Sequence, residues 1–324
     1  MRPGIGPADS GDSGDSGDSG DSGDSGSVGV LINSNNVIRP IGVSPALQQA
    51  KDANGNDAGW WPGYKWPPDD VAPFWQNSAP TRFPRRYWSP SLYAIAVLGE
   101  FVEATAPVSG FKWNSHGLQQ LLANILAAAN VADELKQLVE LIEYRPGVMS
   151  EALAERAYLG TYWRGVLMFD GASAFWTSQL IEIALTVGQF QVMHYKRHFE
   201  RPRPSQYSPS LLPPIEVPGH ASFPSGHATE SLLMALCLAE VMPPAASALV
   251  MVPNPGIGPP IPLPDSSPLL RMAQRIARNR EVLGLHFPSD SEAGRVLARN
   301  SFDILKECTT VQHVINEAKK EWWP

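Results

Sequence analysis

The chain has 324 residues, 43% of them hydrophobic, a formal net charge of -7 and two cysteines. Six of the negative charges, Asp9, Asp12, Asp15, Asp18, Asp21 and Asp24, sit in one N-terminal repeat, so the remainder is close to neutral. These figures exclude the basic footprint of a nucleic-acid binder and a disulfide framework. No apolar run reaches the ~20 residues of a membrane span. The best candidate, "SLLMALCLAEVMPPAASALVMV", is broken by Glu240 and by Pro243-Pro244. No charged region followed by an apolar run opens the chain, so no secretory signal is read and a cytoplasmic location is expected. Cys237 and Cys308 each lie in apolar helical context, where a buried free thiol is expected.

In chain order, residues 1–26 end in "DSGDSGDSGDSGDSGDSG", an acidic repeat without apolar residues that cannot offset its own ordering entropy and is expected to be disordered. Residues 27–90 are rich in Pro, Gly, Asn and Trp. "GWWPGYKWPPDDVAPFW" sets aromatics between helix breakers and predicts an irregular segment packed on a helical body. From residue 91 the apolar period becomes helical. "SPSLYAIAVLGEFVEATA", with its Ser-Pro start, opens the first helix. "HGLQQLLANILAAANVADELKQLVELIEY" supplies one or two more, and "SEALAERAYLGTYWRGVLMF" another. "SAFWTSQLIEIALTVGQFQVMHYKRHFE" is a long helix that stops before Arg201-Pro202-Arg203-Pro204, because proline lacks an N–H and clashes with the preceding turn. "HATESLLMALCLAEVM", "SPLLRMAQRIARNREVLGLHF" and "SDSEAGRVLARNSFDILKECTTVQHVINEAKKEW" complete the series. Strand alternation is scarce. The expected fold class is all-α, a helical bundle, with one catalytic domain over 91–324.

Three clusters carry chemistry. Lys196 and Arg203 lie seven apart at the close of the long helix. Ser225-Gly226-His227 opens the next. Arg280, His286 and Asp290 follow in "NREVLGLHFPSD". Lysine and the forked arginines suit a tetrahedral oxyanion. Ser225 adds a hydroxyl, and Gly226 a main-chain N–H at a helix start. His286 is a nucleophile or ligand, Asp290 four residues later orients its ring, and His227 moves protons. Taken singly, each cluster has a plain structural reading: basic residues neutralising a helix C-terminus, a turn with a cap, a surface His–Asp pair. All three converge on one kind of ligand. His194 and His198 share a helix face, but no third ligand accompanies them, so a zinc pair is not favoured. Trp60, Trp61, Trp66, Trp75, Trp88, Trp113, Trp163 and Trp176 are read mostly as packing.

The spacing Lys196-x6-Arg203-Pro204, Pro224-Ser225-Gly226-His227, Asn279-Arg280-x5-His286-x3-Asp290 resembles the signature of a superfamily. Its members are type 2 phosphatidic acid phosphatases, bacterial acid phosphatases and vanadium-dependent haloperoxidases. Only Asn279 departs, standing where serine is usual. The resemblance spans about residues 170–300. It implies a helical bundle in which Lys196, Arg203, Ser225, Gly226 and Arg280 hold the oxyanion. In a phosphatase of this type, His286 attacks phosphorus, His227 protonates the leaving group and Asp290 orients His286. In a haloperoxidase, His286 bonds to the vanadium of vanadate, and His227 helps activate bound hydrogen peroxide to oxidise halide.

His220, five before Ser225, resembles the second active-site histidine of vanadium bromoperoxidases. Met193 stands where haloperoxidases often carry an aromatic, which speaks the other way. The sequence therefore leads to an expected vanadate-dependent bromide oxidation with hydrogen peroxide and an organic acceptor, with His220 among its catalytic residues. The alternative is a soluble acid phosphatase that takes a phosphate ester, with phosphate in the vanadate site. The oligomeric state stays open, a homo-oligomer included.

Overall fold

The computed structural model describes residues 32–33, 36–37, 88–106, 110–254, 256 and 259–323. The acidic repeat, Trp60, Trp61, Trp66, Trp75 and nearly all of the 27–90 stretch lie outside the described residues. The chain divides into two units. One comprises Gly17–Trp88, where Ile32–Asn33 pairs antiparallel with Asn36–Val37; the other comprises Met1–Ser16 and Ser89–Pro324.

The second unit holds ten helices of nine residues or more among the described residues: α1 (Pro90–Glu103), α2 (His116–Ala128), α3 (Val131–Glu140), α4 (Arg145–Ala157), α5 (Leu159–Leu167), α6 (Phe175–Phe199), α7 (Gly226–Ala239), α8 (Pro268–Val282), α9 (Pro288–Glu307) and α10 (Thr309–Trp322). The rest of its regular structure among the described residues is helical pieces of three or four residues and two antiparallel pairs of two-residue strands. The all-α expectation holds.

Local chemistry sets the helix starts. Proline at the first position pre-sets φ in α1, α8 and α9. Ser115, Asn130 and Ser267 accept from main-chain N–H groups at the starts of α2, α3 and α8, each worth about 1 kcal/mol. The start of α6 borrows its cap. Glu321, at the end of α10, accepts from Trp176 N–H at 2.7 Å and Thr177 N–H at 2.9 Å. A carboxylate there also complements the helix dipole.

Three boundaries differ from the periodicity. The stretch 150–169 breaks at Tyr158, and 289–322 breaks at Cys308; both residues take extended backbone. The stretch 267–287 stops being helical at Val282. Gly284 follows with φ +73°, a left-handed conformation that favours glycine. The buried Arg145 guanidinium closes this end, donating to Val282 O at 3.0 Å, Leu211 O at 2.7 Å and Leu212 O at 2.7 Å. Helix-terminal carbonyls need such partners. The released segment 283–287 is what carries His286.

Helix α7 packs against α6, α8 and α9. It is apolar around most of its circumference and almost wholly buried. Small residues let its neighbours approach. A Cβ at Gly188 of α6 would lie 3.1 Å from Glu230 Cγ, and one at Gly294 of α9 would lie 2.9 Å from both Ala228 Cβ and Ser225 O. The main core joins α1, α5–α10 and Trp163, with Trp113 and Trp176 against it, whereas Trp88 is exposed. Cys237 and Cys308 are free and buried. Among the described residues, no helix is long and apolar enough to cross a membrane.

Candidate active site

The fold brings the three clusters to one end of α7. Lys196 closes α6, buried, with Nζ donating to Ala221 O at 2.5 Å and Ser222 O at 3.2 Å. Arg203 lies in extended backbone after the prolines end α6. Its guanidinium donates from Nε to His220 O, from Nη1 to Leu285 O and from Nη2 to His220 Nδ1, each at 3.0 Å. Nη1 also lies 3.0 Å from His286 Nε2. The ring nitrogen accepts there, which places the ring proton of neutral His286 on Nδ1.

Nδ1 faces Asp290 Oδ2 at 3.3 Å. Asp290, in the first turn of α9, is fully buried. It also accepts from Phe287 N–H at 2.9 Å, Ser222 Oγ at 2.5 Å and Arg201 Nη1 at 2.7 Å. The Asp290 carbonyl accepts the Ser225 N–H at 3.0 Å, tying the two motif segments together. Ser225 is the fully buried N-cap of α7, Gly226 its first residue and His227 its second. The N-terminus of a helix is a natural anion site, and here two arginines and a lysine converge beside it.

Arg280, in the last turn of α8, is fully buried and donates through Nη2 to Ala152 O at 2.6 Å and Glu155 Oε2 at 2.9 Å. Asn279, the departure from the expected serine, donates to Glu155 Oε1 at 2.7 Å. Burial raises the Glu155 carboxyl to about 7, outweighing Arg280 and Asn279, which pull it down. His227 is held well below the usual imidazole range, first by burial, then by the charges of Arg280 and His286; a hydrogen bond to the Glu155 main chain opposes this. His286 is likewise held well below that range, by burial and then by Arg203, Lys196, His220 and Arg280. These mutual influences put Lys196, Arg203, His220, His227, Arg280 and His286 within one electrostatic neighbourhood. The donor set fits a tetrahedral oxyanion better than a bare cation, which three positive side chains would repel.

Four supporting residues escaped the motif: Arg201, Glu134, Ser222 and Glu155. Arg201 and Ser222 lie beside motif residues in the chain; Glu134 and Glu155 have no sequence signal beyond helical spacing. His194 does not belong to the site; it packs edge-on to Trp113 and Tyr195. Among the described residues, no group of three His, Cys, Asp or Glu side chains is arranged to hold a metal.

His220 needs a different account from the sequence expectation. Its Nδ1 accepts from Arg203, its carbonyl takes the same guanidinium, and its pKa falls to about 3 through burial, then Lys196 and Arg203. It steadies Arg203 at the edge of a solvent-open cavity lined by Ser205, Gln206, Pro218 and Ala221. That geometry requires no halide chemistry.

Residues 176–302 match the PAP2 superfamily. A similar protein is a decaprenylphosphoryl-5-phosphoribose phosphatase from Mycolicibacterium smegmatis, 30% identical over 156 residues, covering 46% of this chain and 73% of the relative. The expectation of a vanadium haloperoxidase, an oxidoreductase using hydrogen peroxide and halide, is overturned. The named relative is a phosphatase, and the comparison supports the hydrolase alternative. On the motif, the helical bundle and this relationship together, the chain belongs to the PAP2 superfamily.

Proposed function

We propose that this protein is a phosphatase that hydrolyses phosphate monoesters through a phosphohistidine. The observation that carries this reading is His286. Its ring is held with Nδ1 toward Asp290 and Nε2 beside the cationic cradle. Lys196, Arg203 and Arg280, with Ser225 Oγ and the Gly226 N–H, hold the phosphoryl oxygens. Arg203 Nη1 shifts from His286 Nε2 to a phosphoryl oxygen, freeing the lone pair. Nε2 then bonds to phosphorus as the ester P–O bond breaks. The leaving oxygen takes a proton from His227 and departs as the alcohol. Water next attacks the phosphohistidine, His227 takes up its proton, the P–N bond breaks, and phosphate leaves. The charges compensate in the transition state because the cationic cradle is preorganised.

Burial and then the charges of Arg280 and His286 disfavour the charged form of His227. A bound phosphate dianion favours its charged form, so substrate binding itself raises the proton affinity of the acid. Inorganic phosphate and orthovanadate are expected as competing ligands of the same cradle. The relative's name concerns a phosphate on a lipid-linked sugar; a phosphorylated sugar headgroup is the first natural substrate class to try.

The test is hydrolysis of a chromogenic phosphate monoester by the full chain, with orthovanadate as competitor and His286→Ala as control. Vanadate-sensitive hydrolysis that disappears in His286→Ala is expected. Full turnover in His286→Ala would sink the assignment, and a wild-type chain inert toward aryl, alkyl and sugar phosphates would sink the activity.

A further inference from the structure

The contact between Asp290 and His286 is the longest that this carboxylate makes, 3.3 Å, and three donors compete for the same oxygen. Oδ2 receives Ser222 Oγ at 2.5 Å, Phe287 N–H at 2.9 Å and His286 Nδ1. The other oxygen, Oδ1, is held by Arg201 Nη1 at 2.7 Å. Arg201 is itself buried, 5% exposed, and its second arm reaches Glu134 Oε2 at 2.8 Å. Glu134 Oε1 accepts the Ser289 N–H at 2.7 Å, one residue before Asp290. Ser289 Oγ takes Arg201 Nη1 at 2.7 Å, and the guanidinium carbon stacks 3.9 Å from the Phe287 ring centre. A charged chain therefore runs from Glu134 on α3, through Arg201 after α6, to Asp290 on α9 and His286.

Burying a cation between two carboxylates costs much of what the pairing returns. The side-chain hydrogen bonds of Arg201 and Glu134 reach the site through Asp290 and the start of α9. We propose that Arg201, clamped by Glu134, is a positioning residue for the nucleophile. By holding Oδ1 it fixes the rotation of the Asp290 carboxylate, which keeps Oδ2 facing His286 Nδ1. That contact selects the Nδ1–H tautomer and leaves Nε2 with its lone pair toward phosphorus. With Oδ1 released, Ser222 and the Phe287 N–H hold Oδ2 alone, and the longest contact is the first to go. Glu134 supplies the second anchor, fixing Arg201 and the α9 start together.

The inference rests on the phosphatase reading only in its kinetic arm. Arg201→Gln, Arg201→Lys and Glu134→Gln are compared with the wild-type full chain on the chromogenic ester. The His286 tautomer is read from ¹⁵N imidazole shifts. Arg201→Gln is expected to lower kcat about 100-fold, the cost of a small misplacement at a reacting centre, with KM little changed and the His286 tautomer mixed. Arg201→Lys should recover part of kcat and of the tautomer, and Glu134→Gln should lose less than Arg201→Gln. An unchanged tautomer and kcat in Arg201→Gln would overturn the proposal, as would a rise in KM alone. Should Arg201→Gln fail to fold by circular dichroism, Glu134→Gln and Arg201→Lys decide, since an intact tautomer and full kcat in both also overturns it. An inert wild-type chain would end the phosphatase reading while the tautomer measurement still decides the role of Arg201.

Discussion

Two histidines face the same cradle and are held in opposite ways. His286 sits on a loop between α8 and α9 with both ring nitrogens engaged, Nε2 by Arg203 and Nδ1 by Asp290, and Asp290 is itself anchored by Arg201. His227 rides on the first turn of the buried helix α7, where burial and the charge of Arg280 lower its proton affinity and the Glu155 main chain opposes them. The difference matches the two jobs proposed. A nucleophile needs one tautomer and one direction, so it is fixed through side-chain bonds. A general acid must gain and lose a proton, so its surroundings are built to set proton affinity. Glu155 serves that second side twice, through its main chain to His227 and through its carboxylate to Arg280 and Asn279.

The largest expected effect separates the two directly. His286→Ala should remove activity on every ester, because no other group supplies the attacking nitrogen. His227→Ala should depend on the leaving group. A nitrophenolate needs little protonation and should lose modestly, while an alkyl phosphate should lose about 10²–10⁴-fold, the range for general acid catalysis. Steady-state kinetics on the two esters checks this; equal losses on both in His227→Ala would break the comparison.

Stability against pH comes next. His220 is lowered to about 3, and His227 and His286 well below 6.5, so the folded state binds fewer protons than the unfolded state below that value. Their contribution is present above pH 6.5 and lost as pH falls, each buried ring adding a slope of up to ~1.4 kcal/mol per pH unit. Glu155 has the opposite sign. Its folded pKa is raised from 4.5 to about 7, so it favours the fold at low pH and that contribution is lost as pH rises through this range. Denaturation midpoints at pH 7.5 and 5.5 should therefore show a net loss on acidification, steeper in Glu155→Gln. A shallower loss in that variant would overturn the assignment.

Gly294→Ala tests the joint between the two sides. The added Cβ would meet Ala228 Cβ and Ser225 O, both at 2.9 Å, and Thr229 Oγ1 at 3.0 Å. Overpacking of this kind costs about 1–3 kcal/mol. Because the strain falls on the N-cap of α7, the affinity for inorganic phosphate should drop with the melting temperature. Calorimetry of both reads this, and a full-affinity, full-stability variant would show that α7 and α9 give way more easily than their packing implies.

The motif residues were legible because each lies in a short run where residue type and spacing suffice: Lys196 with Arg203, Ser225 to His227, Arg280 to Asp290. The helices were legible from apolar period, and the stop before Arg201 from proline. What was hidden depends on burial from elsewhere in the chain. Glu134 in "VADELKQLVE" and Glu155 in "SEALAERA" read as ordinary carboxylates of amphipathic helices until α9 and α8 cover them. Arg201 reads as a basic residue at a helix end until Asp290 and Glu134 appear on its two arms. The neighbour of His220, the Arg203 guanidinium on Nδ1, is likewise visible only in three dimensions.

The smallest expected effect concerns the motif's one departure. Asn279 stands where serine is usual and reaches Glu155 Oε1 at 2.7 Å through Nδ2. A serine hydroxyl is shorter and cannot occupy the same point from the same backbone. Asn279→Ser should therefore cost about 1.5 kcal/mol, one hydrogen bond to a charged acceptor at the low end of its range. Arg280 keeps the other oxygen, so the cradle stays assembled and turnover should change little. The loss should appear instead as a further rise in the Glu155 pKa, since Asn279 helps to lower it. Following the Glu155 carboxyl by ¹³C NMR titration checks the direction. A turnover loss as large as that of His227→Ala on an alkyl ester would mean that Asn279 and Glu155 take part in the proton transfer, and the division between the two sides would have to be redrawn.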